Sequence, residues 1–182
     1  MKVLAIVASP RQNGNVDTLV QEVLKGAEES GSKTETYYLN KMKYSDCQAC
    51  MYCKSHDSCR LDDDMSGLIE AMKDADAVVF GTPIYYFQFN GQFRMFMDRL
   101  YRYLGLDFKV SLPAGKKAVV ITSQGNPDTK MFDGVFQDFD RVLKMYGFSS
   151  IGALHMVGGN SPSAAKERKD LLTEARSLGR EL

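Results

Sequence analysis

Three short segments of this chain set apolar residues back to back instead of alternating them with polar ones. Val3-Leu4-Ala5-Ile6-Val7-Ala8 is the first. Residues 75–81 (A-D-A-V-V-F-G) are the second, and residues 117–123, with A-V-V-I-T inside, are the third. A strand with one wet face must alternate with a period of two, whereas a strand covered on both faces has no such need. Each segment therefore predicts a strand in the interior of a sheet with helices packed above and below.

The intervening sequence supplies those helices. A Gly/Asn-rich turn at residues 9–15 leads into a helical pattern that runs to about Ser30, and residues 34–39 are β-rich. Asp62-Asp63-Asp64 opens a second helix through Ile69 and Met72, the acidic run complementing the helix dipole. Residues from about 90 to 104 are helical. So are 132–146, closed by Gly147 in the position that favours a left-handed cap. Residues 149–157 read as the last strand and 163–182 as a closing surface helix. Five strands alternating with five helices predict an α/β fold, a doubly wound five-stranded parallel sheet in the order 2-1-3-4-5. No internal repeat, low-complexity run or linker interrupts the pattern. The expectation is one domain over residues 1–182 with a cysteine-rich loop at 46–60.

Composition narrows the class. Apolar residues make up 44% and charged residues 25% of 182, a globular balance. Lys plus Arg and Asp plus Glu are 23 each, so bulk electrostatics hold no nucleic acid. The opening apolar run is too short for a signal peptide or a membrane span. The expected location is the cytoplasm, where thiols stay reduced.

The chain's four cysteines fall within thirteen residues: Cys47, Cys50, Cys53 and Cys59, spaced C-x2-C-x2-C-x5-C. One short loop with this spacing can wrap a [4Fe–4S] cluster, as similar runs do in bacterial ferredoxins. Arg60, not Pro, follows the last cysteine, so this is not a ferredoxin repeat. A tetrahedral zinc site wants its sulfurs about 3.8 Å apart, and such sites usually close with two knuckles from separate places in the chain. Metal-free thiols and, for a secreted chain, disulfides are the other readings of the same residues.

In a doubly wound sheet, ligands bind outside the carboxyl ends of the strands, where the strand order reverses. The first loop there is Ser9-Pro10-Arg11-Gln12-Asn13-Gly14-Asn15. It opens a helix, where backbone N–H groups and the dipole favour an anion. It lacks both G-x-G-x-x-G and G-K-[ST], which disfavours a dinucleotide pyrophosphate and a P-loop and leaves a phosphate monoester or a plain polar turn. The second loop, residues 81–91, is rich in aromatics and suits a flat apolar ring. Its Phe87 and Phe89 fit core or subunit contact better than ring contact. The third, residues 122–127, is small and polar around Gly125. His56 and His155 form no Ser-His-Asp set, and the methionines of F-R-M-F-M fit core or interface.

S-P-R-x-x-G-N after strand one, P-I-Y after strand three and D-R at Asp98-Arg99 resemble the NADPH-dependent FMN reductase family of flavodoxin-like proteins. With the cysteine run and D-D-M at residues 63–65, the chain is most similar to the iron–sulfur flavoprotein branch. The resemblance implies FMN. Ser9, Arg11, Asn13, Gly14 and Asn15 would lie around its phosphate. Pro83, Ile84, Tyr85 and Tyr86 would line one side of the ring, with Ser123, Gln124 and Gly125 approaching from the other loop. It also implies that Cys47, Cys50, Cys53 and Cys59 hold one [4Fe–4S] cluster and that the protein is a homodimer or a dimer of dimers. Val16 stands where many members carry a hydroxyl, with Thr18 two residues on. Asp98 and Arg99 are expected to be structural, a helix ion pair or cap.

The expected function is an FMN-dependent oxidoreductase that passes electrons from NAD(P)H or a ferredoxin-like reduced carrier to a quinone, free flavin or one-electron carrier. The flavin supplies the redox chemistry, so no side chain is singled out as a catalyst. The competing readings are a non-enzymatic iron–sulfur electron carrier working with ferredoxin and a redox-sensing flavodoxin-like binding protein.

Overall fold

β1 (Lys2–Val7) lies between β2 (Lys33–Tyr38) and β3 (Ala77–Tyr85) and is parallel to both. The computed structural model describes residues 1–182, the side chains of residues 150 and 151 excepted. β5 (Lys117–Ser123) and β6 (Ser149–Met156) extend the sheet on the far side of β3, also in parallel. The two-residue β4 (Gln88–Phe89) pairs antiparallel with the end of β3. The order is β2-β1-β3-β5-β6. This is the expected doubly wound arrangement, with six strands among the described residues where five were expected. The extra one arises because β3 runs four residues past Gly81 and turns back through Tyr86 and Phe87, both with positive φ (45° and 63°).

Period-two alternation sorts the buried strands into two cores. Leu4 and Ile6 of β1, Val78 and Phe80 of β3 and Val120 of β5 face α2 (Met65–Asp74), α3 (Gly91–Arg99) and α4 (Asp133–Met145). Val3, Ala5 and Val7, with Val79 and Ile121, face α1 (Asn15–Glu29) and α5 (Lys169–Arg180). The first core centres on Phe80. The rings of Phe93 and Phe139 meet it edge-on at 6.1 and 5.4 Å, the geometry aromatic quadrupoles favour. On the other face α1 and α5 approach backbone to backbone. A Cβ on Gly26 would stand 2.0 Å from the carbonyl oxygen of Arg176, and one on Gly179 would stand 1.9 Å from that of Val23.

Three helices differ from expectation. The segment predicted over 90–104 is α-helical only to Arg99 and tightens into a 3-10 turn at Leu100–Tyr103. The closing helix is broken at Arg168, with a 3-10 turn (Ala164–Glu167) before α5. The acidic run precedes α2 instead of forming its first turn, because Asp63 and Asp64 accept hydrogen bonds from residues 43–45. Gly147 closes α4 as predicted: φ is 78°, its N–H reaches Lys144 O at 3.0 Å, and Phe148 N–H reaches Leu143 O at 3.0 Å, a Schellman motif.

Candidate functional site

The loops after β1, β3, β5 and β6 meet in one cleft at the carboxyl edge of the sheet, where the strand order reverses. Ser9, Arg11 and Asn15 line it from the first loop, and Pro83, Ile84 and Tyr85 from the second. Ser123, Gln124 and Gly125 line it from the third. Of the predicted cofactor residues, Asn13, Gly14 and Tyr86 do not line it. Val16, Gly159 and Pro162 do, and sequence reasoning missed them.

The first loop is held by its own backbone. Ser9 Oγ accepts from Arg11 N–H at 3.3 Å, and Gly14 N–H donates to Arg11 O at 3.2 Å. Asn13 takes a left-handed conformation (φ 56°), and its N–H donates to Asp17 Oδ2 at 2.6 Å. Tyr38 steadies that carboxylate through a 3.0 Å hydrogen bond. Burial first, and then Asp17, push the Tyr38 phenol up to about 12. Gly14 occupies the N-cap of α1 without a side-chain cap. Among the described residues, the N–H groups of Asn15 and Val16 meet no acceptor, as the first turn of a helix dictates. The Arg11 guanidinium is exposed and makes no ion pair among the described residues. Thr18 Oγ1 donates to Asn13 O at 3.4 Å, so its hydroxyl belongs to the loop and does not stand in for the one absent at Val16.

Asn15 acts away from the helix start. Its Nδ2 donates to Gly159 O at 3.1 Å and Ser161 O at 2.8 Å, and its Oδ1 accepts from Ala165 N–H at 2.9 Å. It thus stitches the loop after β6 against α1. Gly159 fits there because it has no side chain. A Cβ would lie 2.7 Å from Ser123 Oγ and 3.0 Å from Asn15 Nδ2. Gln124 is also engaged within its loop, its Nε2 donating to Asn126 O at 3.0 Å and Asp128 O at 2.8 Å. Two side chains expected to reach a ligand are therefore loop supports, and backbone groups and Arg11 are left to face the cleft. The arrangement can hold an anion at the start of α1 and a flat group between the second and third loops.

Tyr85 is half exposed, Tyr86 fully exposed and Phe87 64% exposed. The two aromatic residues of the turn hold left-handed conformations that bulky side chains rarely adopt. Phe87 meets Phe132 edge-on at 5.6 Å. Phe89 is buried in the core, as expected.

A larger cavity of about 750 Å³ opens elsewhere, between the cysteine loop and residues 102–111. Four of the charged residues in its walls are paired with one another, Arg102 with Glu70 and Lys109 with Asp107. Its lining does not include the loops after β1, β3 and β5. We place the site at the smaller cleft on topology.

All four cysteines are free thiols, Cys50 exposed and the others half-buried. The donor type suits iron, but the arrangement does not. Among the described residues, no three Cys, His, Asp or Glu side chains gather where they could hold a metal ion. Cys47, Cys50, Cys53 and Cys59 do not fit a cluster without rearrangement of the loop. Asp98 forms no ion pair among the described residues. Arg99 does, and its partner is Asp63 at 2.7 Å.

A doubly wound parallel sheet with its cleft at the β1/β3 switch point defines the flavodoxin-like class. The family model for NADPH-dependent FMN reductase matches residues 1–146. The chain belongs to that family, a family of flavin oxidoreductases. Gly159 and Pro162 lie beyond the matched stretch. An iron–sulfur flavoprotein of Methanocaldococcus jannaschii is 32% identical over 165 residues, 90% of this chain and 79% of that one. An iron–sulfur flavoprotein of Methanosarcina thermophila is 26% identical over 167 residues, 92% and 85% of the two chains. The fold is also that of an NAD(P)H:quinone oxidoreductase from Methanothermobacter marburgensis, with a TM-score of 0.74 at 20% identity over 100% of this chain and 96% of that one. No helix among the described residues is long and apolar enough to cross a membrane.

Proposed function

We propose that residues 1–182 act as one flavodoxin-like unit that binds FMN in the cleft and passes electrons from NAD(P)H to a quinone-like or flavin acceptor. One observation carries this reading: four loops remote in sequence converge on the switch point, beside a helix start with free N–H groups and an unpaired arginine. The N–H groups of Asn15 and Val16 and the Arg11 guanidinium would hold the phosphate. Pro83, Ile84 and Tyr85 would flank the ring on one side, with Ser123 and Gly125 on the other. Gly159 leaves the room that brings these loops together. FMN, when bound, supplies hydride acceptance and donation. The residues bind, orient and exclude water, and none is asked to move a proton.

Two further features belong to this reading. The exposed aromatic turn at Tyr86 and Phe87, beside the cleft, supports a homodimer that covers it. The four free thiols, and relatives named iron–sulfur flavoproteins, support a cluster that forms only after the loop rearranges. With a cluster the chain would trade electrons singly, with a ferredoxin-like carrier as donor. The four free thiols support a location in the cytoplasm, where thiols stay reduced.

The test is purification without oxygen, followed by quantitation of released flavin, sedimentation, and steady-state oxidation of NADPH and NADH with a quinone and with free FMN. Stoichiometric FMN with turnover of either acceptor is expected. FMN without turnover, but with electron exchange to ferredoxin, establishes the carrier instead. A chain that retains no FMN sinks the assignment of the cleft.

A further inference from the structure

The cysteine-bearing segment is a loop closed at its base. Lys43 N–H donates to Asp64 Oδ2 at 2.6 Å, and Asp64 N–H returns to Lys43 O at 3.2 Å. Ser45 N–H donates to Asp63 Oδ2 at 3.1 Å. These bonds join the chain just before the four cysteines to the chain just after them, closing residues 46–62 at a neck.

Arg99, at the end of α3, clamps that neck. Its Nη1 donates to Ser45 O at 2.8 Å and to Asp63 Oδ2 at 2.7 Å, and its Nη2 donates to Asp63 Oδ1 at 3.0 Å. One guanidinium therefore grips both sides of the neck at once, using the planar fork that a lysine lacks. The Arg99 side chain is 1% exposed and that of Asp63 13%. Burial alone would raise the Asp63 carboxyl, but the bonds from Arg99 and Ser45 outweigh it and hold it below the usual range. An unpaired charge at this depth is strongly disfavoured, so the clamp is made or broken as a unit. Beyond the neck, Lys54 Nζ donates to Leu104 O at 2.5 Å and to Tyr101 O, and Arg102 Nη2 donates to Asp57 O, so the later half of the loop also rests on the turn after α3. Ala49 and Met51, between successive cysteines, both take positive φ (49° and 61°), and Cys50 is exposed.

We propose that Arg99 is the positioning residue of the cysteine loop. It fixes the two ends, so that the thiols of residues 47–59 can be gathered by internal rearrangement of the loop alone, without disturbing the flavin cleft. The part that concerns gathering rests on the cluster reading above; the clamp itself does not. A fixed neck shortens the segment whose entropy must be lost when four sulfurs are brought to one centre.

The experiment compares wild type, Arg99→Gln, Arg99→Lys and Asp63→Asn, each purified without oxygen and checked for retained FMN. Three quantities are read: the rate of proteolysis within 46–62, the rate of thiol alkylation before reconstitution, and iron, sulfide and visible charge-transfer absorption after it. For Arg99→Gln we expect retained FMN, loop cleavage about tenfold faster, corresponding to about 1.4 kcal/mol of neck stability, and less than half the iron of wild type. Arg99→Lys should recover part of each loss, because it restores charge without the fork. If Arg99→Gln does not fold, Asp63→Asn, at the more exposed end of the pair, reads the same quantities. Wild-type rates of cleavage and alkylation with wild-type iron in the folded variant overturn the proposal. Wild type that takes up no iron overturns the cluster reading instead, and cleavage and alkylation then decide the clamp alone.

Discussion

The Asn90 side-chain amide donates to the carbonyl oxygen of Ala8 at 2.6 Å, across 82 positions of sequence. The same side chain caps α3, its Oδ1 accepting from Phe93 N–H at 3.1 Å and from the Thr82 hydroxyl at 3.3 Å. One buried residue thus ties the end of β1, where the first loop begins, to the helix that follows the second. Asn90→Ala removes the cap and leaves the Ala8 carbonyl buried without this donor. The expected loss is about 2–3 kcal/mol, read by urea denaturation, with weaker FMN retention because both loops lose their shared anchor. Unchanged stability would mean that another donor reaches Ala8.

Arg11 and Ser9 bear on FMN more directly. Arg11 is exposed and free to reach a phosphate, and Ser9 shapes the loop through Arg11 N–H. Losing one charge-assisted contact and one loop support should weaken FMN binding about 100-fold or more in Arg11→Ala with Ser9→Ala. Flavin fluorescence titration measures it. Stoichiometric FMN in the double variant at low micromolar concentration removes this loop from the site.

Gly159→Ala tests the loop after β6. The added Cβ would stand 2.7 Å from Ser123 Oγ, inside van der Waals contact, so the β5 and β6 loops must part. We expect a loss of about 1–2 kcal/mol of stability and weaker FMN binding by about tenfold. Ser123→Ala in the same chain removes the nearer clash and should restore part of the stability. Equal stability of the single variant and wild type would show that the cleft does not need the close approach.

The sheet was legible because its strands advertise themselves: 3–8 and 117–123 are apolar on both faces, and only a doubly covered sheet accommodates that. Nine of the twelve expected cofactor residues line one cleft, since topology alone fixes which loops meet. Gly159 and Pro162 were not legible as site residues, because G-G-N-S-P reads as an ordinary turn. The signal that was available is its place at the carboxyl end of β6. Asn90 was missed for a different reason, and Arg99, expected in a structural ion pair or cap, was legible without its partner. Each acts through a partner dozens of residues away, and nothing local marks which of 23 acidic residues Arg99 will find. The two-residue β4 was hidden because Tyr86-Phe87 contains none of the Gly, Asn or Asp that normally signal such a turn.

His155 provides a pH test. Its Nδ1 lies 2.8 Å from Thr122 Oγ1, one residue before the cleft-lining Ser123, and its ring stacks on Phe136 at 3.7 Å. Burial lowers its pKa below the ordinary 6.5, and the charge of Asp133 only partly opposes this. The unfolded chain therefore takes up the proton at higher pH than the folded one. Stability from this group is complete above about pH 6.5, falls as the pH drops toward the lowered folded value, and falls no further below it. The slope in that window cannot exceed about 1.4 kcal/mol per pH unit. His155→Gln offers Thr122 a neutral partner and does not titrate, so its stability should be flatter than that of wild type between about pH 5 and 7. Urea denaturation at half-unit intervals, on matched apo samples, measures the difference. Parallel curves for the two proteins would show that His155 titrates alike in the folded and unfolded chains.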